Sequence, residues 1–244
     1  GPLFFVLGIT LNVLNKIFTK RAYWQHYILL VFCFLFLFHL KFYVGLLLVP
    51  ATTGYLWIIH QKGPHPLIKT ILNLVSYFAI AVIWHIYNWN WSLFTVLKWK
   101  RQDFLGLAKS MNAKSLIETG NLEDTPISFL QNFSWGLFNA IVRPLPWEAY
   151  SIVLLPNVIE NCLIILFIFI CLLFGKRKNF QSIGYFFLMY AFALLTIVGM
   201  VTPIMGSLVR YKIPAIPFLL MFFLLFMEKE KGKKLISLFN KRTA

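Results

Sequence analysis

The stretch "YWQHYILLVFCFLFLFHLKFYVGLLLVPATTGYLWII", residues 23–59, decides the fold class. It carries one lysine and no acid, and its apolar residues do not alternate. As one straight helix it would run about 55 Å, at about 1.5 Å per residue. The hydrocarbon core of a bilayer is only about 30 Å thick. The run therefore reads as two crossings, and its one polar interruption, "HLKF" at residues 39–42, is the place for the turn. Backbone groups in lipid must bond within their own segment, so the crossings are helices. A membrane β-barrel would need short alternating segments instead.

The rest of the chain agrees. It is 59% hydrophobic and only 13% charged, whereas soluble domains carry about a quarter charged residues. Further apolar runs lie at Pro2–Phe18 and at residues 67–87, 152–174, 183–202 and 213–227. The reading is an all-α polytopic membrane protein with about seven transmembrane helices. A six-span version, with Pro50 kinking a re-entrant segment, is the alternative. No basic segment precedes the first apolar run, so that run does not read as a signal peptide. The chain is expected to be a piece of a larger membrane protein.

Orientation follows from the basic residues. Lys16, Lys20 and Arg21 form one cluster. Lys62 and Lys69 form a second, residues 176–178 a third, and the tail a fourth. With seven spans and the start outside, all four fall in the cytoplasm. The organisation is then residues 1–87, N-terminal membrane helices; 88–151, an extracytoplasmic amphipathic loop; 152–227, three C-terminal membrane helices; and 228–244, a basic cytoplasmic tail. The expected location is the inner (plasma) membrane. The net charge of +15 reads as attraction to anionic lipid, since no compact basic domain offers a nucleic-acid surface. Cys33, Cys162 and Cys171 lie in apolar runs and read as buried structural thiols.

The outer loop keeps an apolar pattern. "SLFTVLKWKRQDFLGLAKSM" (92–111) and Pro126–Val142 read as helices lying in the interface, with Trp89, Trp91 and Trp99 at headgroup level. "RPLPWEA" (143–149) follows. Its prolines hold Arg143, Trp147 and Glu148 just before the next span, as an outer-face site or as a simple ion pair. Inside that span, "PNVIEN" puts Asn157, Glu160 and Asn161 on one helix face. A carboxylate at membrane depth needs a partner, and Arg143 and Arg210 are the candidates. His85 reads as a wet helix end. Arg210 and Lys212, in "GSLVRYKIPAIPF" (206–218), stand at the outer edge of the last span. Their charge runs against the bias that the basic clusters obey, so they read as an anchor or as a phosphate grip.

No glycine-rich phosphate loop, metal-ligand spacing or nucleophile motif occurs, so no cofactor or metal site is assigned. The order of amphipathic outer loop, "RPLPWEA", span with a buried glutamate, and "GSLVRYKIPAIPF" resembles the C-terminal half of bacterial envelope-glycan proteins of the C superfamily of membrane glycosyltransferases. The resemblance covers residues 88–227. It implies transfer from a polyprenyl-phosphate-linked sugar at the outer face. It implies lipid-phosphate binding by Arg210 and Lys212, and Arg143, expected at the same face, is a candidate to help them. In that superfamily a first-loop carboxylate is base or metal ligand. No Asp or Glu precedes residue 88 here, so the catalytic residues stay unassigned. Two other readings remain open. One is a non-catalytic subunit that docks a partner envelope protein on its outer loop. The other is a transporter using Glu160.

Overall fold

The computed structural model describes residues 1–19, 21–61, 63, 65–113, 115–117, 120–148, 152–175 and 181–226. Lys20, Lys62, the cluster at 176–178 and the tail at 228–244 lie outside the described residues. The helices are α1 (Pro2–Phe18), α2 (Trp24–His60), α3 (Pro66–Tyr87), α4 (Leu93–Ser110), α5 (Pro126–Val142), α6 (Leu155–Phe174), α7 (Ile183–Val201), α8 (Met205–Lys212) and α9 (Ile216–Phe226). Five segments are helical, long and apolar enough to cross a membrane: α2, α3, α6, α7 and the continuous α8–α9 stretch; α1 is shorter. An isolated antiparallel bridge joins Leu116 and Ile204.

The 37-residue α2 is a hairpin. Its helical geometry fails at one residue, Lys41, with φ −152° and ψ 93°. A Cβ on Gly45 would lie 3.4 Å from both Leu37 Cβ and Phe38 N. In a straight helix, residues seven apart are about 10 Å apart. Both ends of α2 also meet the C-terminal end of α1: Lys16 Nζ lies 3.1 Å from His26 Nε2, and the Phe18 and Tyr55 rings are 4.5 Å apart. The chain thus reverses at "HLKF", in two arms, residues 24–40 and 42–60. Pro50 sits inside the second arm, and its carbonyl accepts from Asn73 Nδ2 of α3 at 2.8 Å. The arm runs on as helix through Pro50, so no re-entrant segment forms there.

At the centre stands α7, 67% buried over its apolar window where the other crossing helices reach at most 33%. Tyr190, fully buried, donates to Val44 O at 3.2 Å and packs on Phe218, joining α7 to α2 and α9. The loop helix α5 does not lie free in the interface. It packs along the C-terminal half of α7, with Gly136 against Gly199. Small residues let two backbones approach this closely, and such contacts drive helix association where the hydrophobic effect is absent.

Three expectations shift. The last crossing starts at Met205, not at residue 213, because Pro203 ends α7 and the chain re-enters a helix one residue after Ile204. Arg210 and Lys212 therefore lie within α8. Cys33 and Cys171 are buried, but Cys162 is exposed on the α6 surface. His85 is not a wet helix end: it is 3% exposed, covered by Trp89 and Phe94.

Candidate functional site

The three cations expected at one phosphate site separate. Lys212 is 4% exposed and turned into the protein. Its Nζ donates to Ala140 O at 3.1 Å, Arg143 O at 2.6 Å and Asn161 Oδ1 at 2.6 Å. Asn161 Nδ2 in turn donates to Val142 O at 2.6 Å. The last carbonyls of a helix have no partner within it. Here Lys212 and Asn161 cap the end of α5, and a cation there also suits the helix dipole. Arg143 pairs with Glu148, Nε to Oε1 at 3.3 Å, and the other carboxylate oxygen accepts from Leu145 N at 2.9 Å. The "RPLPWEA" turn is thus closed on itself, and Trp147 stays 76% exposed at its tip.

Glu160 is exposed on α6, beside a small crevice that it shares with half-buried Asn157 and with the buried Asn161 and Lys212. Lys212 acts on it electrostatically, but among the described residues Glu160 makes no hydrogen bond. The expectation that its side chain would be enclosed by the bundle does not hold, because Asn161, one residue on, takes the inward position.

That leaves Arg210, which is exposed. Its neighbour is a residue that sequence reasoning used only for topology. Lys41, at the hairpin turn, lies within electrostatic range of Arg210, and its Nζ sits over the Tyr211 ring at 4.9 Å. Neither cation has an ion pair among the described residues. Lys41 opens onto a groove of about 630 Å³. The walls are the start of the second α2 arm (Leu46, Leu47), the C-terminal end of α7 (Val198, Val201) and the groove-facing side of α4 (Leu97, Phe104). Its few polar residues include Lys41, Tyr43, Lys100 and Asp103, the last two paired at 3.2 Å. The Tyr43 hydroxyl is buried with no hydrogen-bond partner among the described residues. The signal for Lys41 was present in the sequence: a lone cation in an outer turn, against the charge bias, is the argument that had singled out Arg210.

The groove wall α4 is fixed at its start by a proton chain that can be counted. Thr95 Oγ1 has one proton and gives it to Trp89 O at 2.6 Å. Ser92 must then donate to Thr95 across 2.9 Å, and His85 Nδ1 must carry the proton given to Ser92 Oγ at 2.7 Å. Ser92 Oγ also accepts from Thr95 N, capping α4. The Ser92 proton is committed away from His85, so the pair is not a nucleophile with its base.

On α4 itself, Lys98 pairs with Asp124 at 3.1 Å. Burial, the largest influence on the Asp124 carboxyl, pushes it up. Hydrogen bonds from Lys98, its own backbone and Trp89, with the Lys98 charge, together bring it below the ordinary aspartate value. A carboxyl depressed in the folded state stabilises above its unfolded value of about 3.9, and that contribution fades as pH falls through the folded value. Acidification below about pH 4 is therefore expected to loosen the packing of Trp89. An acid-induced step in tryptophan emission, absent in Asp124→Asn, would show it; an identical step in both proteins would refute it.

Comparison with protein-family models, curated proteins and solved structures finds no match.

Proposed function

We propose that this membrane protein serves cell-envelope glycan or glycolipid assembly, in the manner of a membrane glycosyltransferase, by holding a lipid-phosphate carrier at the outer face of the plasma membrane, its C-terminus cytoplasmic. The observation that carries the reading is Lys41 at the head of an apolar groove, its ammonium over the Tyr211 ring, with Arg210, the residue before Tyr211, within electrostatic range. Two like charges repel, and without a carboxylate between them an anion relieves the repulsion. A phosphate suits the place, since arginine grips two oxygens at once. The Tyr43 hydroxyl adds an unused donor nearby. The groove, about 630 Å³ and lined mostly by apolar side chains, suits a lipid chain. Its lining is apolar on three sides.

The test is binding of a polyprenyl phosphate to the protein in nanodiscs. Arg210→Ala and Lys41→Met are each expected to weaken binding at least tenfold without lowering the melting temperature. Arg210→Lys is expected to recover only part of it, because lysine offers a point charge. A polyprenyl alcohol should compete poorly. Equal binding of alcohol and phosphate, or a silent Arg210→Ala, would sink the reading.

A further inference from the structure

Glu160 is the one carboxylate in the crossing helices, since α2, α3, α7 and the α8–α9 stretch hold no Asp or Glu. It lies about 7.5 Å beyond the first residue of α6, at about 1.5 Å per residue. A carboxylate within a crossing needs both a balancing charge and hydrogen-bond donors. The protein itself balances the charge, because Lys212 acts on Glu160 electrostatically. It does not supply the donors. The Lys212 ammonium has three N–H groups, and Ala140 O, Arg143 O and Asn161 Oδ1 take up all three. The Asn161 amide is turned to Val142 O and Pro144 O. What Glu160 lacks is therefore a donor without charge.

Asn157 opens on the same crevice, and its amide makes no hydrogen bond among the described residues. One face of α6 thus offers an unused acceptor and an unused neutral donor, about 60° apart around the helix. A cation or an amine headgroup would add charge to a site that Lys212 has already neutralised. A second copy of this chain adds none. An interface about a twofold axis is self-complementary, so a residue on one side of the seam meets the residue on the other side in the second copy. Helix side chains lean toward the N-terminus, which carries the Glu160 carboxylate back to the level of Asn157.

We propose that two copies of this chain associate through the crevice between α6 and the α8–α9 stretch, with Glu160 of each accepting from the Asn157 amide of the other. The contact also covers Ile213, which is 40% exposed at the rim of the crevice. Hydrogen bonds of this kind hold membrane helices together where the hydrophobic effect is absent. The association rests on α6 and the last crossing and is independent of the lipid-phosphate reading.

Energy transfer between copies in phosphatidylcholine vesicles tests it. The parent protein carries Cys162→Ser, to remove the exposed thiol, and Met111→Cys, just past α4 and 70% exposed, for donor or acceptor dye. Transfer is expected well above that of a monomeric membrane protein at the same density. Asn157→Leu and Glu160→Leu are each expected to lower it at least fivefold, and Glu160→Gln to keep most of it, since an amide oxygen still accepts. The decisive sample mixes Asn157→Leu copies with Glu160→Leu copies. Each variant alone has lost both contacts, but the mixed pair keeps one, so its transfer is expected at least twofold above either alone. Asn157→Leu leaves Lys212 its counter-charge, and against the parent it decides the matter if Glu160→Leu does not fold. Background transfer in the parent protein, whatever lipid or protein then takes the face, overturns the proposal. So does unchanged transfer in Asn157→Leu, or a mixture no better than its components.

Discussion

Gly199→Ala is expected to lower the melting temperature of the detergent-solubilised protein by about 10 °C, or to stop the protein accumulating in the membrane. A Cβ at residue 199 would overlap the Gly136 carbonyl oxygen and lie 2.6 Å from its carbon and 3.1 Å from Ala140 Cβ. The first two are backbone atoms in mid-helix, so no rotamer change relieves the overlap. α5 must move away from α7, and Ala140 and Arg143, which accept from Lys212, move with it. Overpacking commonly costs about 1–3 kcal/mol, and a clash of this depth belongs at the top of that range. For a chain of this length, about 3 kcal/mol corresponds to roughly 10 °C. Gly206→Ala is the control, since its Cβ would meet nothing within 4 Å. If both substitutions leave the melting temperature unchanged, the α5–α7 contact is not as close as described.

Lys212→Met is expected to destabilise by at least about 2 kcal/mol, a loss of roughly 5–10 °C in melting temperature. Methionine keeps the length of the side chain and removes the donors. Ala140 O, Arg143 O and Asn161 Oδ1 are then left without their partner in a site where Lys212 itself is 4% exposed. Each buried acceptor so orphaned costs about 1–3 kcal/mol, although hydrogen bonds between membrane helices often return less than one. Lys212→Met should therefore act on stability, while Arg210→Ala acts on phosphate binding and leaves stability alone. A Lys212→Met protein with an unchanged melting temperature and lost phosphate binding would reverse the roles assigned to the two cations.

The contrast between these neighbours shows where sequence reading reached and where it stopped. The hairpin was legible because bilayer thickness sets a length limit and "HLKF" was the one interruption in its run. The bounds of α5 were legible from Pro126 and the change to Arg143-Pro144. The all-α class followed from long apolar runs that do not alternate. The Gly136–Gly199 contact was not legible, because a glycine in an apolar helix reads the same whether it faces lipid or a second backbone. Nor was the difference between Arg210 and Lys212. At two residues apart they lie on different sides of α8, but nothing local says which side meets the end of α5. Asn161 and Glu160 pose the same problem one residue apart: one turned inward and the other stayed out. The groove was out of reach for a further reason. It is made of three segments far apart in the chain, and ordinary apolar residues line it.

The turn at Lys41 has a consequence for how this chain tolerates insertion and deletion. With one non-helical residue between two helical arms, there is no slack to absorb a change in length. One residue added anywhere between Phe42 and Gly54 would rotate everything beyond it by about 100°. Gly54 would leave the place where a Cβ would already meet Met189 Sδ at 2.6 Å and Asn73 Nδ2 at 2.7 Å, and a side chain would arrive there instead. The arms behave like two gears cut on one shaft: neither can be advanced by a tooth without disengaging the train, and length changes are confined to the segments outside them.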